Sequence, residues 1–158
     1  MTQQEKRTIA QDFLRGLRDR DANLLRSIMT DDVVWSLPGE SLMSGEARGV
    51  DAIANRAATL AGFNVKIELE HVIFGLHDLA VHLHNTGYFD GKVLDEHLTT
   101  VIRLDGDKIR RLDTFISDVG MLNAYFAGEP TSSTTDILIP ASAPSCTAIK
   151  AKRELCGF

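Results

Sequence analysis

Residues 63–74, "FNVKIELEHVIF", decide the fold, because the hydrophobic pattern changes here from a helical to a strand period. Apolar and charged residues alternate along this run, which is typical of a strand with one buried face. The apolar face carries Val65, Ile67, Leu69, His71 and Ile73. The opposite face carries Lys66, Glu68 and Glu70. The run therefore predicts a half-buried strand at the start of a sheet.

Three further strands are predicted downstream, at residues 78–89, 93–104 and 109–116. The turn sequences "DGK" and "DGDK" separate them, and Asp-Gly is a strong hairpin signal. Strands that follow one another through tight turns pair antiparallel. The second half of the chain is therefore expected to form an antiparallel meander, followed by a short helix capped by Ser117 or Asp118.

Upstream of residue 63 the apolar period is helical. Residues 4–18 predict an amphipathic helix whose apolar stripe consists of Ile9, Phe13, Leu14 and Leu17. A second short helix is predicted after the N-cap Asp21, and a third from Val50 to Leu60. Between these two, "DVVWSLPGE" (residues 32–40) predicts a strand from Val33 to Leu37, which a polar, Gly-rich loop follows.

The length and charge of the chain limit its functional classes. With 158 residues, of which 44% are hydrophobic, the chain suits one globular domain, expected at residues 1–128. Its formal net charge of -5 argues against nucleic-acid binding, which needs clustered Lys and Arg. No apolar run reaches the ~18–20 residues of a membrane span, and the N-terminus lacks a signal-peptide core, so a cytoplasmic location is expected. Residues 129–158, rich in Ser, Thr and Pro, are expected to form an extended tail.

Three pieces of the chain carry a resemblance to a known family. They are "FLRGLRDRDANLLRSIMTDDVVWSLPGE" (13–40), "SGEARGVDAIANR" (44–56) and "TTVIRLDGDKIRRLDTFISD" (99–118). Their order and spacing resemble the nuclear-transport-factor-two-like fold, in its SnoaL-like and ketosteroid-isomerase-like branch, over roughly residues 5–127. The resemblance implies an α+β fold, in which a cone-shaped, curved antiparallel sheet wraps around the N-terminal helices and encloses an apolar pocket. Members of the family are isomerases, polyketide cyclases, dehydratases and epoxide hydrolases, and others only bind a ligand or a protein.

The resemblance also argues against one mechanism. Ketosteroid-isomerase-like members need a carboxylate base and two acidic hydrogen-bond donors, which stabilise an enolate oxygen. The matching positions here hold Leu37 for the base, Phe13 for the tyrosine donor and Thr100 for the buried acid. Since none of the three groups is present, steroid-isomerase chemistry by this route is not expected.

His71 is the first candidate for catalysis, because the strand pattern places it on the apolar face. The ordinary pKa range of imidazole suits general acid or base catalysis near neutral pH. The structural alternative is a core histidine with satisfied hydrogen bonds. Glu96 is a candidate charged partner, because it shares the inward face of Leu98 and Thr100, where desolvation would raise the pKa of its carboxyl. Its alternative position is in water, near the end of the hairpin.

Asp113 is the other candidate partner. It resembles an aspartate that epoxide-hydrolase-like and cyclase-like members carry on the last strand, where it activates water or moves a proton. It points into the cone only if a one-residue bulge shifts the strand. Otherwise it lies on the outer surface and pairs with Arg110 or Arg111.

The expected pocket wall suits a flat, apolar, lightly oxygenated ligand. Its predicted substrate-binding residues are Phe13, Trp35, Leu37, Leu83, Asn85, Phe89, Thr100 and Thr114. His82 and His84, in "HLH", are expected on the outer face, as is His97. The pair resembles a metal-binding pair, but no Asp, Glu or Cys partner is evident in the sequence. An interface or a solvated pair is the expectation, and neither a metal nor a cofactor is expected.

The sequence thus favours a small, cofactor-independent enzyme that acts on a hydrophobic, oxygenated small molecule of polyketide or terpenoid kind. His71 would move the proton, Asp113 or Glu96 would be its partner, and Asn85 would orient the substrate in an isomerisation, cyclisation or dehydration. The alternative is a non-catalytic module of the same fold that binds a ligand or a protein. A homodimer through the outer sheet face is expected, from the fold analogy and from the partly apolar outer positions Ala80, Tyr88, Val101 and Phe115.

Overall fold

The computed structural model describes residues 1–128, which contain four helices and six strands. The helices are α1 (Gln3–Asp19), α2 (Ala22–Ile28), α3 (Val50–Gly62) and α4 (Val119–Tyr125). The strands are β1 (Met29–Leu37), β2 (Gly45–Arg48), β3 (Lys66–Phe74), β4 (Leu79–Phe89), β5 (Lys92–Asp105) and β6 (Lys108–Ile116). The tail predicted at residues 129–158 lies outside the described residues. None of the helices in residues 1–128 is both long enough and apolar enough to cross a membrane.

The strands form one curved, open sheet in the order β2-β1-β6-β5-β4-β3, which confirms the predicted α+β fold. The meander β3-β4-β5-β6 is antiparallel throughout, as expected. One pair differs from the expectation, because β1 lies parallel to β6. The loop after β1 also contains a short strand, β2, which pairs antiparallel with β1.

The sheet folds around α1, whose sequence fixes both its start and its buried side. Thr2 and Glu5 form a capping box, which satisfies two backbone N–H groups that the first turn leaves free. The buried stripe includes Ile9, Phe13 and Leu17, as the helical period predicts. Phe13 meets Trp35 of β1 edge to face, with ring centroids 5.8 Å apart. The helix thereby fills the concave side of the sheet.

Two buried cations tie the helices to the strands. Lys6 of α1 is only 5% exposed, and its ammonium donates to the carbonyl oxygens of Gly75, Leu76 and Asp78 at 2.8, 3.1 and 3.3 Å. Arg56 of α3 donates to the carbonyl oxygens of Trp35 and Gly45, both at 2.7 Å. Desolvation lowers the pKa of Arg56 to about 10, which leaves it charged at neutral pH.

A bulge in β3 overturns the predicted position of His71. Leu69 pairs with Leu83 and His71 pairs with His82, so Glu70 is an extra residue without a partner in the ladder. Beyond it, the two faces of the strand are exchanged relative to a regular alternation. His71 is therefore exposed on the outer face instead of buried on the apolar one, and Ile73 is 52% exposed for the same reason.

Candidate functional site

The inner face of the sheet forms an apolar wall that contains most of the predicted substrate-binding residues. Phe13, Trp35, Leu37 and Leu83 are all at most 8% exposed. Phe89 is half-buried and packs on Phe63, with ring centroids 4.9 Å apart. Asn85, Thr100 and Thr114 are also buried and face the same side as their apolar neighbours along β4, β5 and β6. The structure thus brings the predicted wall residues onto one surface.

Three of the polar or amphipathic groups on this wall bind one another. The indole Nε1 of Trp35 donates to the hydroxyl of Thr114 at 2.9 Å. That hydroxyl shares a second hydrogen bond, of 2.8 Å, with the hydroxyl of Thr100 on the neighbouring strand. Because burying an unpaired polar group costs about 1–3 kcal/mol, this chain of bonds stabilises the wall. The hydroxyls of Thr100 and Thr114 are therefore hydrogen-bonded to groups of the protein itself.

Glu96 and Asn85 form the other polar pair on the wall, and each keeps an oxygen free. They lie directly opposite each other on β5 and β4, and are 2% and 7% exposed. Within residues 1–128, Oε2 of Glu96 and Oδ1 of Asn85 are buried and accept no hydrogen bond. Buried polar atoms are nearly always paired, so these two acceptors call for a partner such as water or a bound group.

The environment of Glu96 changes its acidity. Desolvation, and secondarily the negative charge of Asp118 at the start of α4, raise the pKa of Glu96 to about 7. A carboxyl with this pKa exchanges its proton readily at neutral pH. Of the two predicted positions of Glu96, the structure therefore shows the buried, inward one and not the solvated one.

Asp113 does not share the inner face of Leu112 and Thr114 on β6, but it does line the cleft between β1 and β6 that is described below. A bulge does occur in β6, between the pairs Arg103–Arg111 and Leu104–Ile109, but it precedes Asp113 and leaves that residue outside. Its carboxylate accepts hydrogen bonds from Ser36 at 2.7 Å, Arg111 at 2.9 Å and Arg103 at 3.4 Å. Desolvation raises the pKa of Asp113, but these hydrogen bonds and the Arg111 charge outweigh it and lower the pKa overall. Asp113 is thus an ionised anchor between strands.

A cleft opens where β1 and β6 separate, just beyond the last pair of their parallel ladder, Ser36 and Asp113. Its volume is about 510 Å³. Residues of both faces line it: Leu37, Thr114 and Ile116 from the inner face, and Ser36, Asp113 and Phe115 from the outer face. Val119, in the first turn of α4, lines it as well. The start of α4 is thus related to both features. Its residue Val119 lines the cleft, and the charge of its cap, Asp118, raises the pKa of Glu96.

The histidines of β4 and β5 lie on the outer face, as predicted. The rings of His82 and His97 stack with centroids 6.0 Å apart, and those of His84 and His97 with centroids 4.4 Å apart. The sequence reading missed their carboxylate partners. Glu70 reaches both His82 and His97, and Asp95 reaches His84. Only the strand register shows this, because Glu70 is distant from the histidines in the sequence and stands on a bulge.

Comparisons with known proteins agree with this fold. The profile of the SnoaL-like domain family matches residues 10–112. A comparison with curated proteins found no sequence match. Similar solved structures include Bal32a from a soil-derived mobile gene cassette, with a TM-score of 0.73 and 18% identity, covering 78% of this chain and 97% of that one.

Two further solved structures are similar. TerC, co-crystallised with polyporic acid, has a TM-score of 0.67 and 16% identity, covering 78% of this chain and 99% of that one. A proposed SnoaL-like polyketide cyclase from Jannaschia sp. CCS1 has a TM-score of 0.60 and 16% identity, covering 82% of this chain and 99% of that one. At these identities the likeness shows a shared fold, which supports many unrelated activities.

Proposed function

This chain belongs to the SnoaL-like domain family, and from that membership and the inner wall we propose that it is a small enzyme that needs no cofactor and moves protons on a hydrophobic, oxygenated molecule. The observation that carries the proposal is Glu96, a buried carboxyl with a pKa of about 7 on a largely apolar wall. The reaction class would be isomerisation, cyclisation or dehydration. The cytoplasmic location expected from the sequence stays a prediction.

Glu96 would be the general acid or base. A group whose pKa lies near the working pH is populated in both protonation states, which is the optimum for proton transfer. The ionised carboxylate would remove a proton beside a carbonyl group, and the resulting carboxylic acid would return it to another atom. His71, the candidate that the sequence favoured for this step, lies on the far side of the sheet and takes no part in it.

Asn85 would orient the substrate. Its side chain lies opposite Glu96 in the adjacent strand, and its amide nitrogen can donate to a carbonyl or enolate oxygen. The aromatic and aliphatic wall, with Trp35 and Leu83, would bind the apolar body of the molecule. This arrangement favours a flat, apolar substrate with a few oxygen atoms, of polyketide or terpenoid kind.

The cleft between β1 and β6 would be the entrance. Leu37 and Thr114 of the inner wall line part of it, and it reaches Val119 at the start of α4, the helix whose cap Asp118 acts on Glu96. A volume of about 510 Å³ is within the range of small-molecule sites, roughly 300–1,000 Å³. A planar hydroxyquinone fits this description chemically, which makes polyporic acid, the ligand named for TerC, a suitable first probe.

Binding of polyporic acid is expected to quench the fluorescence of Trp35. The chain contains one Trp, and it lies on the inner wall, so its emission reports on that wall alone. Asn85→Ala should weaken binding by up to about tenfold, since it removes one hydrogen bond of about 0.5–1.5 kcal/mol. Free tryptophan amide, titrated alongside, corrects for absorption by the probe. Quenching no stronger than that of the free amide would count against a site for such molecules on this wall.

The alternative is a binding module without catalysis. Leu37, Phe13 and Thr100 stand where ketosteroid-isomerase-like enzymes carry their acid and base groups, which favours this alternative. The two functions differ in what Glu96→Gln does. In a binding module neither the wild type nor Glu96→Gln converts the ligand. In an enzyme the wild type converts it, whereas Glu96→Gln still binds the ligand but no longer turns it over.

We also propose a homodimer through the outer face of the sheet. Tyr88 and Phe115 on this face are 66% and 62% exposed, and aromatic side chains are enriched at protein interfaces. Light scattering on the purified protein at micromolar concentration is expected to give twice the mass of the chain. Phe115→Lys should return it to a monomer, while Leu42→Lys, a change at an equally exposed apolar residue in the loop before β2, should not. A wild-type monomer at these concentrations would refute the proposal.

A further inference from the structure

Four histidines form a row across the outer face, which we name the histidine row: His71, His82, His97 and His84. They come from three adjacent strands, and their nearly parallel rings stack with centroid distances of 6.3, 6.0 and 4.4 Å. The row lies on the opposite side of the sheet from Glu96, so the proposed reaction does not use it.

A carboxylate stands in the middle of this row. Oε2 of Glu70 lies 3.2 Å from Nε2 of His82 and 3.3 Å from Nδ1 of His97. Glu70, the extra residue of the bulge in β3, lies on the same outer face as Glu68 and as the histidines of β4 and β5. Bulges frequently re-aim a side chain at functional positions. One carboxylate oxygen therefore lies within 3.3 Å of a nitrogen of each of two imidazoles.

We propose that Glu70, His82 and His97 bind a divalent transition-metal ion of the zinc type. Around an ion with bonds of about 2.0–2.1 Å, tetrahedral ligand atoms stand about 3.3–3.4 Å apart. The two distances from Glu70 match this spacing to within about 0.2 Å. The three ligand atoms all lie within 4.8 Å of one another, and rotation of the His97 ring out of its stack would turn its nitrogen toward the ion.

Thr99 supports His82 as a ligand. Its hydroxyl lies 3.0 Å from Nδ1 of His82. When Nδ1–H donates to this hydroxyl, the lone pair of Nε2 points to the carboxylate, and a cation between the two acceptors satisfies both. Metal-binding histidines commonly hold their second nitrogen in this way, which fixes the tautomer and the ring orientation.

The neighbouring pair of His84 and Asp95 has a different role. These residues and His97 are also close enough to be considered as a metal site. However, Nε2 of His84 and Oδ1 of Asp95 are only 2.6 Å apart, which is a hydrogen-bond distance and too short for two ligands of one ion. The pair is a hydrogen-bonded neighbour of the site, and His84 packs its ring against that of His97.

In the single chain, an ion can reach the proposed site from solution. The side chains of Glu70, His82 and His97 are 32%, 33% and 51% exposed. Two imidazoles and one carboxylate leave a fourth tetrahedral position open, for water or for a group from another molecule. Imidazole ligands suit Zn²⁺, Cu²⁺ and Ni²⁺ better than Mg²⁺ or Ca²⁺, which prefer oxygen.

The test is calorimetric titration of the tag-free, EDTA-treated protein with ZnCl₂. The wild type is expected to bind one Zn²⁺ per chain. Glu70→Gln and His82→Ala should weaken binding at least about tenfold, and Thr99→Val about ten- to a hundredfold through the loss of ring orientation. Glu70→Gln and Thr99→Val conserve side-chain size, at an exposed and a half-buried position, so they should keep the fold, which circular dichroism verifies.

Two histidine controls make the result specific. His84→Ala removes the pair that stands beside the site, and His77→Ala removes an exposed histidine in the turn between β3 and β4. Both should bind Zn²⁺ within about threefold of the wild type, since neither contributes a ligand. A wild type that does not bind Zn²⁺, a Glu70→Gln variant that binds as well as the wild type, or a His84→Ala variant as weak as His82→Ala would each overturn the assignment.

Discussion

Glu96→Gln is expected to lower turnover of the protein's substrate about 100- to 10,000-fold, the usual contribution of a general acid or base. Gln keeps the size of the side chain but can neither accept nor release the proton. Because the wall that binds the apolar body is unchanged, the affinity for the ligand, followed by Trp35 fluorescence, should change little. Measurement of kcat and KM separately would show this as a loss in kcat.

The matched control is Asp95→Asn. Asp95 precedes Glu96 on β5 and points to the opposite face, where it pairs with His84. The same loss of a negative charge, one residue away, should leave kcat within about twofold, because the residue does not reach the inner wall. Equal activity of Glu96→Gln and the wild type would remove Glu96 from the mechanism and favour the binding module.

The free energy of unfolding of the wild type is expected to carry a contribution from Glu96 that falls by roughly 2–3 kcal/mol as pH rises from about 4.5 to about 7. In this range the unfolded chain has already released the proton that the folded protein still holds. Raising the pH through this window therefore favours the unfolded state, and above pH 7 the loss is complete. Glu96→Gln, which is neutral at every pH, does not carry this cost.

Urea unfolding of both proteins at pH 5 and pH 8 measures this effect. At pH 8 the Gln variant should be the more stable by roughly 2–3 kcal/mol, and at pH 5 the difference should be much smaller. Other titrating groups, such as Asp113, are common to both proteins and cancel in the difference. Glu68→Gln, a change at an exposed carboxylate of β3, should show no such pH dependence. A difference between wild type and Glu96→Gln that is the same at both pH values would contradict the burial of an ionisable carboxyl.

Lower activity together with higher stability would be a strong indication of function. A residue that is retained for folding stabilises the protein, whereas a desolvated catalytic carboxyl destabilises it at the pH at which it acts. The two measurements on Glu96 therefore separate a structural role from a chemical one, even before the natural substrate is identified.

The elements of this fold that follow from local pattern were predictable. The stripe of α1 and the Asp-Gly turns of the meander appear where the sequence places them, and α4 begins at Asp118, one of its two predicted caps. The parallel pairing of β1 with β6 was not predictable, because nothing local in either strand specifies a partner so distant in sequence. The short β2 was missed because Gly-rich, polar strands have a weak alternation signal.

The candidate site shows the same division. Simple alternation along β5 placed Glu96 inward, and along β4 it placed Asn85 inward, since neither strand has a bulge at these positions. Alternation failed for His71, because the unpaired Glu70 precedes it. Alternation also could not decide the face of Asp113, because the sequence of β6 does not show at which residue its bulge occurs. A bulge is set by pairing with another strand, so a single sequence gives little sign of it.

The bulge at Glu70 has an evolutionary consequence. On β4 the partners are consecutive: Leu83 pairs with Leu69, and His82 pairs with His71. Only Glu70 of β3 is left out of the ladder. A one-codon deletion could thus remove the carboxylate without transferring any other side chain to the opposite face, and a one-codon insertion could introduce it. Insertion and deletion can therefore add or remove the proposed metal-binding carboxylate on the outer surface, while the inner wall changes independently by substitution.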